Sequence, residues 1–337
     1  MCTRISLLVI LLLSSSSLLA QDAKLFQSDD LLELTMVCDI AELQADRGME
    51  PEYHDAKLYG KDANGTPYEM KVQVKARGNF RKSDLTCQFP PLRVRFSKAD
   101  TLGPFDPKRK LKLVTHCDND KYILREYMVY KTYNIISEWS LRVRLCKITY
   151  VDKYQTVEPE THYAFFIEDL DSFSKRFQGR EIDTTRIDPN IVDQEHLARV
   201  HVFQYMIGNP DHSVERFKNT KVVGSFADGK MPIPIPYDFD WSEVVDASYT
   251  KLAGETRKNT LFSKRKYKPL CRTEAEMKAT FSVFMEKREQ IFALYKDSPY
   301  LNTEDKKYCL KYIKDFFKTI KNEGKARKVF ISNCDQD

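Results

Sequence analysis

The chain has 337 residues, with 54 basic against 49 acidic side chains, a formal charge of +5, and 42% hydrophobic and 12% aromatic residues. That composition can fill a core and excludes a disordered chain. The small positive surplus is dispersed, without the clustered basic footprint that nucleic-acid binding requires, so nucleic acid is not an expected partner.

Residues 1–20 read as a signal peptide. Arg4 supplies a short basic region, Leu7 to Leu13 is an unbroken apolar run, and Ser14 to Ser17 lead to a small-residue end at Ala20. The apolar run is well short of the ~20 residues that span a bilayer. The expectation is an exported protein, periplasmic, cell-surface or secreted, cut near Ala20 and without a transmembrane segment in the mature chain. In an oxidising compartment Cys38, Cys87, Cys117, Cys146, Cys271, Cys309 and Cys334 form an odd set, for which roughly one to three disulfides are expected and the pairing is open. None stands in a Cys-x-x-Cys pair, which argues against a zinc ribbon or thioredoxin-type site.

From Tyr68 to Arg77 apolar and polar residues alternate with a period of two, and Asn64-Gly65 precedes them, so residues 56–77 read as a hairpin. The sequon Asn64-Gly65-Thr66 is explained by the same turn. Leu92–Phe96 and Leu111–Val114 read as a second strand pair. The period then changes to helical from Lys121 to Ile136, with Leu124, Met128 and Ile135 on one stripe. Leu141 to Val151 and Tyr163 to Ile167 read as strands again. Lys175 to Asn190 is a polar connection. Helices are expected at His196 to Ile207, around Met277 to Tyr295, and around Cys309 to Ile320, where the aromatic stripes belong to the core. Strands first and helices after make an α+β arrangement.

Two segments concentrate acids. Gly208-Asn209-Pro210-Asp211-His212 ends a helix, and Pro236-Tyr237-Asp238-Phe239-Asp240 ends a short strand that starts at Ile233. A further strand, Thr220 to Val223, follows Asn219. Two strands that each deliver acids to one end can gather Asp211, Asn219, Asp238 and Asp240 at one point, and these are hard oxygen ligands of the kind Mg²⁺ takes. A calcium site, or acids capping turns at Pro210 and Pro236, would use the same residues. Lys112 on a strand and Glu126 on the following helix are candidates for a phosphate-contacting lysine and its partner, although Glu126 could equally pair with Arg125 or Lys131. Glu168, at the end of the Phe165-Phe166-Ile167 strand, could connect two lobes and offer backbone groups to an adenine.

On these residues the chain resembles the spore-coat CotH kinase family and, more distantly, HipA-type kinases. Arg77-Gly78-Asn79 with Pro91-Leu92-Arg93-Val94-Arg95-Phe96 is similar to the CotH Arg-Gly-Asn segment and its strand. Lys112 through Glu126 resembles the strand and helix that carry the nucleotide lysine and its glutamate. The Asp211 segment is similar to the HipA-like catalytic loop, and Asp238-Phe239-Asp240 to the metal-binding Asp-x-Asp segment. The resemblance covers about residues 70–270. It implies a bilobal protein-kinase-like fold, with an antiparallel-sheet N-terminal lobe at 21–168 carrying one helix and a mainly helical lobe at 169–337. It also implies ATP with Mg²⁺ or Mn²⁺, and a protein or small-molecule hydroxyl as phosphoryl acceptor. Asp211, Lys112 and Glu126 would be catalytic, Arg77, Lys112 and Glu168 would contact nucleotide, and Asn219, Asp238 and Asp240 would hold metal.

The chain departs from the pattern where kinase loops place their metal-binding asparagine about five residues after the aspartate. Arg216 stands there, and Asn219 comes later; Gly78 also has no Gly-rich loop around it. A non-catalytic surface or binding protein is the alternative reading, and a hydrolase with Asp211 and Asp238 as paired carboxylates is a weaker third. Export predicts that the protein from its native host begins at or near Gln21 on N-terminal sequencing; a mature chain beginning at Met1 would contradict it.

Overall fold

The structure is a computed structural model that describes residues 24–97, 102–107, 109–117, 119–225, 229–250, 265–267 and 271–332. The signal-peptide reading at residues 1–20 and Cys334 lie outside the described residues. Strands β1 (Leu32–Cys38), β2 (His54–Lys61), β3 (Pro67–Ala76), β4 (Leu92–Phe96), β5 (Lys110–Val114), β6 (Val143–Asp152) and β7 (Glu160–Ile167) close into a barrel in the order β1-β2-β3-β4-β5-β7-β6.

The expected hairpin is β2–β3. Asp62 sets its turn: Oδ1 accepts from the Asn64 and Thr66 amides at 2.9 and 2.8 Å, and Gly65 takes φ 81°. Alternation then decides the faces. Met70, Val72 and Val74 of β3 point into the barrel with Leu34, Met36, Leu58, Leu92, Val94, Leu113, Ile148 and Phe166, all buried. The register Lys75↔Arg93↔Lys112↔Ile167 leaves a row of cations on the outer face.

This barrel overturns the expected bilobal, protein-kinase-like α+β fold with an antiparallel-sheet lobe. The sheet is closed and mixed, because β1 pairs antiparallel with β2 and parallel with β6, from Leu32↔Cys146 to Cys38↔Asp152. The strand that closes it, β1, was not expected from sequence at all. Closure removes the open edges that a sheet would otherwise have to protect.

Helix α1 (Ile40–Ala45) caps one connection, and α2 (Asp120–Ile136) packs outside the barrel against β7. Beyond β7 come α3 (Leu170–Arg176), β8 (Gly179–Glu181) and α4 (Gln194–Ile207). Strands β9 (Thr220–Ser225) and β10 (Ile233–Pro236) then form a small sheet with β8. Helices α5 (Glu274–Lys296), α6 (Thr303–Lys321) and α7 (Glu323–Phe330) complete the helical part, whose core includes α2. The connection at 175–190, expected from its polar residues, contains β8. Among the described residues no helix is long and apolar enough to cross a membrane.

Cys87 and Cys117 are joined by a disulfide, a bond suited to an oxidising compartment and so consistent with export. Cys271 is also disulfide-bonded, whereas Cys38, Cys146 and Cys309 are free and buried.

One buried ion pair fastens α2 to the helices behind it. Arg125 Nε donates to Asp305 Oδ1 of α6 at 3.0 Å, Nη1 donates to the Val245 carbonyl at 3.1 Å, and the guanidinium lies over the Tyr308 ring. Removing one partner of such a pair strands the other charge in the core. Asp305→Ala is expected to lower stability by on the order of 3 kcal/mol, read as a lower urea midpoint at unchanged slope. The double change Arg125→Met with Asp305→Leu should recover most of the loss.

Candidate active site

The acids expected from sequence are assembled by the small sheet and by the end of α4. Gly208 terminates α4 in the left-handed region at φ 67°, and a Cβ there would run into the Tyr312 hydroxyl and Glu243. The chain then turns at Pro210, where Asn209 Oδ1 accepts from the Asp211 amide at 3.0 Å. A bridge between Ser213 and Lys218 pinches the following loop and brings Asn219 back to Asp211. Asn219 Nδ2 donates to the Asp211 carbonyl at 2.7 Å and to Oδ2 at 2.9 Å, eight residues apart in sequence. Lys218 pairs with Asp211 Oδ1.

The β9–β10 register sets Thr220 opposite Pro236, and the Tyr237 amide donates to the Asn219 carbonyl at 3.0 Å. Asp238 follows in the left-handed region at φ 62°, a conformation that Asp tolerates better than most residues. Its amide donates to the Tyr130 hydroxyl of α2 at 2.8 Å. Asp240 is buried, and its Oδ2 accepts from the Tyr249 hydroxyl at 3.0 Å. Burial, the adjacent Asp238 and, more weakly, Asp211 push its carboxyl up to about 7, against the pull of Arg81 and Tyr249.

Glu126 of α2 joins this group at 1% exposure. Its Oε2 stands 3.9 Å from Arg81 Nη1, and Oε1 is buried without a hydrogen-bond partner. Burial and then Asp240 raise its carboxyl well above the usual range. Arg81 is itself buried, donates to the Thr115 carbonyl, and is held charged by Tyr249, Asp240, Glu126 and Asp238, which outweigh its burial. The Cys87–Cys117 disulfide ties the Arg81 loop to the segment just before α2.

Cations stand on the other side. Lys112 lies with its Nζ 4.4 Å from the Tyr237 ring centre. Burial, Arg77, Arg93 and Lys221 lower its ammonium to about 8 while Asp238 opposes them. Lys221 is already paired with Glu181 Oε1 at 2.6 Å, which leaves Lys112, Arg77 and Arg93 as like charges crowded together.

Of the sequence-predicted residues, Asp211, Asn219, Asp238, Asp240 and Glu126 share one neighbourhood, with Lys112 and Arg77 beside it. The partner of Glu126 is Arg81, and among the described residues Lys112 has no ion pair within 4.0 Å. Glu168 is held apart: its carboxylate accepts from Arg176 Nη2 at 2.8 Å and from the Arg142 amide at 3.0 Å. Sequence reasoning missed Arg81, Tyr130, Tyr249, Arg93 and Lys221. Strand alternation could have indicated Arg93, which shares its face with Lys112; Arg81 and the tyrosines come from loops and a helix interior without a local signal.

The orphaned Glu126 Oε1 stands among carboxyls driven upward by burial and by one another. Oxygen donors of this kind fit Mg²⁺ or Mn²⁺.

No protein-family model matches the chain, and no curated protein matches it at a significant level. Among solved structures it is similar to the crystal structure of the Helicobacter pylori proinflammatory kinase CtkA, with TM-score 0.40 and 10% identity over 75% of this chain and 93% of that one. A likeness this low supports no conclusion about this chain.

The raised Asp240 carboxyl has a pH consequence. Between its ordinary value, 3.8, and about 7 the folded chain binds more protons than the unfolded one. Stability should therefore fall as pH rises through that window when no divalent cation is present. Asp240→Asn should flatten the fall, with a gain at pH 8 of at most about 4 kcal/mol. Denaturant titrations from pH 4 to pH 8 in a chelator check both expectations.

Proposed function

We propose that the chain is an exported phosphotransferase, an atypical kinase that moves the γ-phosphoryl group of ATP to a hydroxyl of a protein or small molecule. The observation that carries the reading is the juxtaposition of Asp211, Asn219, Asp238 and Asp240 with the cations Arg77, Arg93 and Lys112. Acids alone would hold a cation and bases alone an anion; both together suit a polyphosphate bridged by metal. This arrangement supports the CotH-like resemblance better than it supports a hydrolase working by paired carboxylates on a neutral sugar, which has no anionic group for these cations to bind.

Each residue then has a role. Asp238, with Asp240 or Asn219, would hold Mg²⁺, which supplies charge neutralisation at the phosphates when bound. Lys112, Arg77 and Arg93 would bind phosphate oxygens. Lys112 suits this because its neighbours already crowd it, so an arriving anion relieves repulsion. Asp211, oriented by Asn219, would align the acceptor hydroxyl and take its proton as the oxygen bonds to the γ-phosphorus and the β–γ bridge oxygen leaves. Lys218, paired with Asp211 Oδ1, would offset the charge of that carboxylate. Arg81 keeps Glu126 and Asp240 together and acts by positioning. Most of the rate would come from orientation and fixed charge. Glu168, engaged by Arg176, has no assigned part in this scheme.

ATP with Mg²⁺ or Mn²⁺ should raise the unfolding temperature, since a ligand bound only by the folded state stabilises it. Asp238→Ala should abolish the rise. Asp211→Asn should keep it while slowing labelled-phosphate transfer, to the protein itself or to an extract of exported proteins, by about 10²- to 10⁴-fold. No shift at millimolar ATP would favour a non-catalytic binding protein. Unchanged transfer in Asp211→Asn would remove the catalytic role from that residue.

A further inference from the structure

A second group of metal-ligating side chains lies at the start of α2, away from the carboxylates described above. His116 follows β5, and Glu160 and His162 stand two residues apart on β7, on the same face of the strand. One ligand atom from each lies within 4.8 Å of the others. His162 Nε2 is 3.4 Å from Glu160 Oε2, and its Nδ1 is 3.0 Å from Asp120 Oδ1. A carboxylate on one ring nitrogen fixes the tautomer and aims the other nitrogen's lone pair, the arrangement that supports metal-bound histidines.

His116 is only 8% exposed, and its Nδ1 is buried without a hydrogen-bond partner. The two histidine rings lie face to face at 3.7 Å and 17°, with Phe89 stacked 5.1 Å from His116. Nitrogen lone pairs lie in the ring plane, so a shared ion would draw the two ring edges together and tilt the planes apart.

We propose that His116, His162 and Glu160 form a second metal site, selective for a transition ion such as Zn²⁺, with Asp120 orienting His162. Two imidazoles and one carboxylate match the borderline-soft preference of Zn²⁺ and differ from the all-oxygen set that suits Mg²⁺. Three protein ligands leave a fourth position to solvent, and the exposed Glu160 keeps the site open to entry. The inference stands on residues separate from the proposed phosphotransfer site and does not depend on that function.

Metal-free mature protein titrated with Zn²⁺ in a calorimeter, and with Co²⁺ followed by its visible absorption, tests the site. The expected result is about one equivalent bound at micromolar or tighter affinity, with the intense Co²⁺ bands of four-coordinate geometry. His162→Ala and Glu160→Gln should each weaken binding about tenfold or more, as should Asp120→Asn through the lost orientation. Asp238→Asn should leave it unchanged. Glu160 is on the surface, so Glu160→Gln remains informative even if the histidine variant fails to fold. Absence of stoichiometric binding, or binding indifferent to Glu160→Gln and Asp120→Asn, would overturn the proposal and leave the stacked rings as packing only.

Discussion

Glu126 and Asp240 are buried with a guanidinium, Arg81, and the half-buried Asp238 stands beside them, so that one cation offsets three carboxylates. Several elements are arranged around that balance. The middle of α2 supplies Glu126, the end of β10 supplies Asp238 and Asp240, and the loop after β3 supplies Arg81. Like charges gathered out of water are costly unless something keeps them there. Here the Cys87–Cys117 disulfide and the Arg81 bond to Thr115 hold the cation in place. The Tyr130 and Tyr249 hydroxyls hold the acids. Such concentrated cost is characteristic of sites rather than of scaffolds.

The barrel contributes by geometry. Its inside is filled with aliphatic and aromatic side chains, so chemistry can occur only on its outside. Pleating turns Arg93 and Lys112 outward in register, and Lys112 faces Arg77 and Asp238, whereas Lys75 of the same row lies over the Tyr53 ring. Two independent rules therefore meet at one place: strand alternation aligns the bases, and the β9–β10 pairing aligns Asn219 with Asp238. The Arg125–Asp305 pair keeps α2, and with it Glu126, at a fixed height against the helices behind it.

Sequence reading succeeded where the determining forces are local. The Asn64-Gly65 turn, the alternation in β3, the helical period of α2 and the convergence of Asp211 with Asn219 all depend on neighbours a few residues apart or on one short pairing. It failed where contacts are distant. Leu32, Leu34, Met36 and Cys38 alternate well enough for a strand, yet the partner that makes β1 close a barrel is β6, more than a hundred residues on. Without that parallel pairing the sheet reads as open and antiparallel, which is why the expected fold was wrong. Glu126 was visible as a candidate, but its partner was read as Lys112. The guanidinium it faces comes from a loop with no pattern of its own. For Glu168, nothing local indicates that Arg176 returns from α3 to engage its carboxylate.

The central claim is that buried acids and outward bases form one site for a metal-bridged polyphosphate. Anomalous diffraction from crystals grown with Mn²⁺ and ADP tests it most directly. The account predicts a manganese peak about 2.1 Å from an Asp238 oxygen, shared with Asp240 or Asn219, and phosphates directed at Lys112, Arg93 and Arg77. A nucleotide ordered elsewhere, or manganese absent from Asp238 while the nucleotide is bound, would contradict it.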